Sequence, residues 1–267
     1  AIKIKQLALA NNQEVSVCLI EKGSEIGAHI LSGNVFEPTA LNELLPDWKE
    51  KGAPLNTPAT KDVVKFIVSE NISFNVPFPS FLIPTFNNHG NYVMSLANFC
   101  RWLATQAESL GVEIFPGFTA SEAIFEGDVV KGILTGEMGV SKDGEKKPSY
   151  QPSMELRGKY TIFAEGCRGH LGKQLIKKFN LDQNKDPQHY GIGFKEVWDI
   201  SPEDHSEGTV MHTMGWPSNG TISGSYFYHG ENNQVYLGYV VPLDYENPYL
   251  SPFDEFQQWK QQKDIKK

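Results

Sequence analysis

The sequence predicts a mixed α/β chain in which a parallel strand–helix layer is followed by a mainly antiparallel sheet. A short apolar run, Val15 to Ile20, follows an amphipathic helix and ends on an acidic residue. A second such run, Tyr160 to Ala164, enters a glycine turn and then a helical pattern. From His189 onward, aromatic and β-branched segments alternate with turns. Short continuous apolar runs suit strands buried on both faces of a parallel sheet, whereas turn-separated runs suit antiparallel ladders.

Ala1 to Ala10 reads as the body of an amphipathic helix with no capping residue ahead of it. After Asn11-Asn-Gln-Glu14 comes the strand that ends at Glu21. Helix, turn, strand and terminal carboxylate form the second half of a βαβ unit, in which an acidic strand end binds ribose hydroxyls. Glu21 is therefore a candidate cofactor ligand, set against the plainer role of a solvated strand-end carboxylate. Residues 26–33, Ile-Gly-Ala-His-Ile-Leu-Ser-Gly, form a glycine-rich loop whose Gly27 and Gly33 allow close approach to a ligand. An ordinary loop has the same composition, and His29 reads equally as a structural hydrogen-bonding residue.

Residues 36–91 read as irregular. They hold Leu41-Asn-Glu-Leu-Leu45, then Pro46-Asp-Trp48, then the proline-rich apolar segment from Val76 to Phe86. Prolines there obstruct both a helix and a central strand. Such a loop either tucks under a core or stands out as an apolar interaction surface. Composition alone leans toward burial.

Leu96 to Gly111 has helical spacing, with Leu96, Phe99, Leu103 and Ala107 on one face and Gly111 as its stop. Val112–Phe115, Ser121–Phe125 and Val129–Thr135 are expected strands, and Ser141–Ser149 a lysine-rich hairpin or loop. Tyr160–Ala164 is expected to be a further buried strand, running into Glu165-Gly-Cys-Arg-Gly169 and the helix Leu171–Phe179. That passage would set backbone amides and a helix dipole beside an anionic ligand. Tyr190–Ile200, Thr209–Trp216, Gly224–His229 and Val235–Leu243 are expected strands, the last two joined by the hairpin turn Gly230-Glu-Asn-Asn233. Pro252 begins a helix with Phe253, Phe256 and Trp259 on one face.

The formal net charge of -8 argues against a nucleic-acid partner, which would require a basic face. Cys18, Cys100 and Cys167 form no C-x-x-C pair, so no zinc or iron–sulfur site is expected within this chain. Cys18 and Cys100 read as small hydrophobes in a reducing, intracellular setting. No apolar run reaches the length of a membrane-spanning helix. Nothing resembles a nucleophile elbow.

Longer motifs, in order along nearly the whole sequence, carry a specific resemblance. They are Glu21-Lys22 with Ile26–Gly33, Pro46–Asn56, Asn88–Tyr92, Thr161–Gly166 and Asp244–Phe253. With these motifs the sequence resembles the electron transfer flavoprotein–ubiquinone oxidoreductases. The resemblance implies an incomplete FAD-binding, Rossmann-like domain of the glutathione-reductase type at residues 1–40 and 91–180. It implies an irregular, apolar, membrane-facing insertion at 41–90 and an antiparallel ubiquinone-side sheet domain at 181–267.

On this resemblance Glu21 and Lys22 would hold the adenosine ribose end, and Gly27, Ala28, His29, Ser32 and Gly33 would approach the flavin. Thr119 and Ala120 would flank the adenine, and Ala164, Glu165 and Gly166 would lie near the cofactor. The quinone contact would be Ser223-Gly224, where the family has two glycines; the serine hydroxyl would either bond a quinone carbonyl or narrow the slot. Membrane contact would fall to Leu41, Leu44, Leu45, Phe78, Phe81, Leu82 and Ile83. No catalytic acid, base or metal ligand is assigned within the chain.

The implied parent protein transfers electrons from reduced electron transfer flavoprotein to ubiquinone through FAD and a [4Fe–4S] cluster whose ligands lie outside this chain. It would be monotopic on a bacterial cytoplasmic membrane or on the matrix side of the mitochondrial inner membrane. The sequence is accordingly expected to be an internal stretch, inactive alone, without the first strand and its glycine turn. Two other readings stand beside this one. One is a different quinone-linked flavoprotein, such as a geranylgeranyl-reductase-like or nitrogen-fixation-associated homologue. The other is a non-catalytic membrane- or partner-binding module.

Overall fold

The computed structural model describes residues 1–31, 33–77, 86–218 and 221–266. Along the chain come α1 (Ile2–Ala10), β1 (Cys18–Glu21), β2 (Asn34–Phe36), α2 (Thr39–Leu44), β3 (Thr57–Pro58), β4 (Lys61–Ser69) and β5 (Ile72–Asn75). Next are β6 (Tyr92–Met94), α3 (Leu96–Ser109), β7 (Glu113–Pro116), β8 (Ala120–Glu126), β9 (Val129–Thr135), β10 (Met138–Val140), β11 (Lys146–Gln151) and β12 (Glu155–Arg157). The last are α4 (His170–Phe179), β13 (Gly191–Asp199), β14 (Thr209–Gly215), β15 (Gly224–His229), β16 (Gln234–Pro242) and α5 (Pro252–Lys260). These fall into two compact units, residues 1–28 with 106–187 and residues 29–105 with 188–267.

The first unit rests on small sheets. β1 and β7 run parallel, Cys18 opposite Glu113 and Glu21 opposite Pro116. β12, β9 and β8 form a three-stranded antiparallel sheet, and β10 and β11 form a separate hairpin. α4 is amphipathic and buries Leu171. Cys18, expected as a small core hydrophobe, is exposed at the start of β1.

Tyr160–Ala164 was expected to be a buried strand and is not one. The segment belongs to no sheet among the described residues. Tyr160 is 91% exposed and Ile162 73%. An apolar run becomes a buried strand only when a neighbour supplies its hydrogen bonds, and none of the described strands does so.

The second unit is built on a six-stranded sheet ordered β13-β16-β15-β14-β4-β5. Its pairs are antiparallel except β14 with β4, which run parallel with Thr209 opposite Lys61. Alternate residues of a strand face opposite sides, and one face is roofed by α5. That helix starts well: the Ser251 side chain caps the Asp254 N–H, proline opens the first turn, and Asp254 and Glu255 complement the dipole. Beneath it Ile67, Leu237, Tyr239 and Val241 pack with Phe256 and Trp259. The Trp259 indole N–H donates to Thr213 Oγ1 at 2.9 Å, so its one polar atom is satisfied.

Residues 41–90, expected to be irregular, instead hold α2, β3, β4 and β5. β4 is a nine-residue strand whose β-branched content, Val63, Val64, Ile67 and Val68, suits a pleated surface. Leu41 and Leu45 of this stretch are only 3% exposed and lie inside the unit, with Trp48 set edge-on to Tyr92. A leucine already packed in the interior has no apolar surface left to offer a lipid phase, so the expected membrane contact fails for both. Leu44 is half-buried. Phe78, Phe81, Leu82 and Ile83 lie outside the described residues.

Candidate functional site

In the first unit, the parallel pair β1–β7 ends with Glu21 and Pro116 side by side. Beyond that edge the Gly117 N–H donates to the Gly23 carbonyl (2.7 Å) and the Phe118 N–H to the Glu21 carbonyl (3.0 Å). Glu21 and the passage leading to Thr119 and Ala120 are thereby brought to one edge, at the carboxyl ends of parallel strands. That is where open α/β sheets bind ligands. The Glu21 carboxylate also accepts the Gly23 N–H at 2.6 Å, which orients it. A half-buried, oriented carboxylate at this edge fits a ribose diol, and an adenosine-bearing group such as FAD fits this donor set. Lys22 and Ala28 are exposed beside it, and Gly27 is half-buried.

Glu165 behaves differently from the expectation. Its carboxylate accepts the backbone N–H groups of Gly172 (2.9 Å) and Leu171 (3.4 Å), and His170 Nδ1 lies 3.6 Å away. The chain's own carboxylate therefore satisfies two of the amides at the start of α4, which are not left to an external anion. Ala164 and Gly166 are exposed on either side of it.

His29 and Gly33 belong to the second unit, and Ser32 lies outside the described residues. His29 is exposed. Gly33 is buried at φ +127°, and a Cβ there would sit 2.1 Å from the ring of Tyr236. Its glycine is required by packing inside the unit. The Lys195 ammonium donates to the Gly33 carbonyl (3.1 Å) and to Asn34 Oδ1 (3.3 Å), tying this strand entry to β13.

Ser223 and Gly224 sit at the start of β15, and the register defines their surroundings. Across the face opposite α5, Val240, Gly224, Met214, Phe66 and Phe74 stand in one row. Phe66 and Phe74 are exposed and their rings are stacked 5.7 Å apart. Val68 and Ile72, two residues along β4 and β5 from these phenylalanines, are exposed as well. In the middle of this apolar row, a Cβ on Gly224 would meet nothing within 4 Å. Ser223 points the other way: it is buried, and its hydroxyl is 2.9 Å from the Tyr239 hydroxyl. The serine therefore neither narrows the open side nor presents its hydroxyl there.

One row further in on the same face are Lys195, Tyr226 and His212, with Tyr228 beyond them. His212 Nε2 and the Tyr228 hydroxyl are 2.9 Å apart, and the Tyr226 and Tyr228 rings stack at 4.7 Å. Burial pushes Tyr226 up to about 12 and raises Tyr228 further, with Tyr226 adding to the rise. Burial lowers His212, partly opposed by Asp62, and lowers Lys195. The interior of the face thus carries hydroxyl, imidazole and amine groups, and its outer row is apolar. Such a gradient accepts a lipophilic ring carrying carbonyl groups. The period-two spacing Gly224, Tyr226, Tyr228 was present in the sequence and signals this shared face.

Among the described residues no cluster of His, Cys, Asp and Glu could hold a metal ion, and no helix is long and apolar enough to cross a membrane.

Residues 190–267 match the family model described as ETF-QO, ubiquinone-binding. The chain is 60% identical over 264 residues to the electron transfer flavoprotein-ubiquinone oxidoreductase of Pseudomonas aeruginosa, covering 97% of this chain and 48% of that protein. It is 50% identical over 270 residues to the human mitochondrial protein of that name, covering 100% of this chain and 43% of that protein. The chain thus spans about half the length of the relatives it matches. Two solved structures share the fold. A geranylgeranyl bacteriochlorophyll reductase-like protein from Thermoplasma acidophilum gives a TM-score of 0.62 at 14% identity, covering 94% of this chain and 57% of that one. A flavoprotein/dehydrogenase from Cytophaga hutchinsonii gives 0.56 at 17%, covering 98% and 59%. The expected mixed α/β class is borne out.

Proposed function

Because this chain belongs to the electron transfer flavoprotein–ubiquinone oxidoreductase family, we propose that its protein passes electrons from reduced electron transfer flavoprotein to membrane ubiquinone. FAD is the proposed cofactor and supplies the electron relay when bound. The first unit would hold it through Glu21, Lys22, Gly27 and Ala28, with Thr119 and Ala120 at the same strand edge. Ala164, Glu165 and Gly166 would lie nearby, the Glu165 carboxylate acting on α4 rather than on the cofactor. A [4Fe–4S] cluster, in this reading, has its ligands outside this chain.

The second unit is the proposed ubiquinone side. The observation that carries this assignment is the open space at Gly224 within an exposed apolar row. The apolar outer edge formed by Phe66, Val68, Ile72 and Phe74 is the proposed point of contact with one membrane leaflet, together with Phe78, Phe81, Leu82 and Ile83. This contact is monotopic, on a bacterial cytoplasmic or mitochondrial inner membrane. Leu41 and Leu45 have no part in it.

Gly224→Val tests the quinone site directly. In the flavin-loaded protein, ubiquinone reduction is expected to fall roughly tenfold or more, the loss of about 1.4 kcal/mol of quinone contact. Reduction of the flavin by electron transfer flavoprotein, followed by bleaching of its absorbance, should keep its rate. Undiminished ubiquinone turnover in this variant would remove the quinone from this face.

A further inference from the structure

We infer that Tyr239 is the positioning residue for the quinone contact, fixing Ser223 and Ser218 from below the sheet with a single phenolic oxygen. The inference rests on the assignment of ubiquinone to the open face at Gly224.

The geometry is a chain of four groups. The Tyr239 hydroxyl lies 2.7 Å from Ser218 Oγ and 2.9 Å from Ser223 Oγ, and Ser218 Oγ donates to Glu255 Oε2 at 3.1 Å. Each hydroxyl carries one proton, and an ionised carboxylate can only accept. Ser218 commits its proton to Glu255, so Tyr239 must donate to Ser218, and Ser223 must donate to Tyr239. The direction Ser223 to Tyr239 to Ser218 to Glu255 is therefore set by Glu255. With its proton committed, the Ser223 hydroxyl serves as an anchor and not as a donor to a ligand.

The post that holds this anchor is itself fixed. Tyr239 is 2% exposed and sits in register between Phe194 and Ser225. Its ring lies 6.4 Å from that of Phe256 and 6.3 Å from that of Trp259, both buried in α5. Burial raises its pKa, so the proton that bridges to Ser218 stays in place at physiological pH. A site held by packed strand and helix residues keeps tighter tolerances than one held by a loop alone. Gly224, the next residue after the anchor, inherits that placement.

Tyr239→Phe removes the hydroxyl and keeps the ring. The probe is a short-tailed ubiquinone analogue, with binding followed by tryptophan fluorescence and turnover measured on the flavin-loaded protein. Of the two bonds lost, to Ser218 and to Ser223, the one to Ser223 holds the anchor, and the expected result is a roughly fivefold rise in both Kd and quinone KM. Transfer to a small soluble dye acceptor should be unchanged. Ser223→Ala and Ser218→Ala should shift Kd in the same direction. The Tyr239→Phe/Ser223→Ala double variant should add little, because the two changes remove one shared bond. A purely structural Tyr239 would lower Tm in these variants without moving Kd or KM. That outcome, with Gly224→Val still blocking the quinone, overturns the clamp and leaves the quinone face standing. No saturable binding by the unsubstituted protein overturns the quinone reading and the clamp with it.

Discussion

The two units use the same elements to different depth. The unit of residues 29–105 and 188–267 lays six strands under one helix, and Val235, Leu237, Val241 and Trp259 lose essentially all contact with water. The unit of residues 1–28 and 106–187 divides its strands among sheets of two and three, and leaves Tyr160 and Ile162 in solvent. A two-stranded sheet is marginal in water, whereas a wide sheet with a covered face is stable by itself. The contrast teaches where each candidate site draws its rigidity. The Gly224 face stands on a deep core, and the Glu21 edge stands on local hydrogen bonds around a short parallel pair.

Trp259→Ala should break this comparison most forcefully. It removes a fully buried indole and the bond to Thr213, at a cost of about 3–5 kcal/mol. Denaturant unfolding followed by near-ultraviolet dichroism would measure it. A cost under about 1 kcal/mol would mean that α5 is not the keystone of its unit. Gly33→Ala comes next, because the added methyl would run into the Tyr236 ring and overpacking of this kind costs about 1–3 kcal/mol. Wild-type stability in that variant would show that the β2 entry can shift freely.

The pH dependence sharpens the same contrast. Burial, then the nearby His205 and Lys61, lower His229 from 6.5 to about 4 in the folded state. Its neutral ring accepts the Ser206 N–H at 3.0 Å. The unfolded chain binds this proton at a higher pH than the folded one does. Stability is therefore complete above about pH 6.5 and is lost as pH falls through the window down to about 4. His229→Gln should flatten that slope in urea titrations, and an unaltered slope would exonerate His229. The smallest effect is expected in the other unit. Glu165→Ala removes the carboxylate from the start of α4, with a loss of about 0.5–2 kcal/mol and faster hydrogen exchange at Leu171 and Gly172. Unchanged protection at those amides would mean that the cap contributes nothing.

Much of this was legible beforehand, because local pattern and final structure agree along α3, α4 and the strands after His189. The failures share one physical origin, namely that a partner's presence is not written in the residues that need it. Lys61 to Ser69 has the composition of a strand, but its parallel partner begins at Thr209, and the neighbouring prolines pointed to an irregular stretch. Tyr160 to Ala164 has the composition of a buried strand and has no described neighbour. Leu41 and Leu45 are apolar whether they meet lipid or protein, so composition could not separate the two. Ser223 left two roles open because the strand phase that turns it toward α5 depends on where β15 begins.

The parallel pairing of β4 with β14 also has a consequence in time. Lys61 and its partner Thr209 are 148 residues apart in the chain. At a synthesis rate of roughly 5–20 residues per second, β4 waits on the order of 7–30 s for that partner to be made. Its hairpin with β5 can form at once, but its other edge, flanked by Val64 and Ile67, stays unpaired until β14 arrives. An apolar strand edge left open for that long is a target for chaperones on the ribosome. The strand that borders the proposed quinone face is thus made long before it is secured.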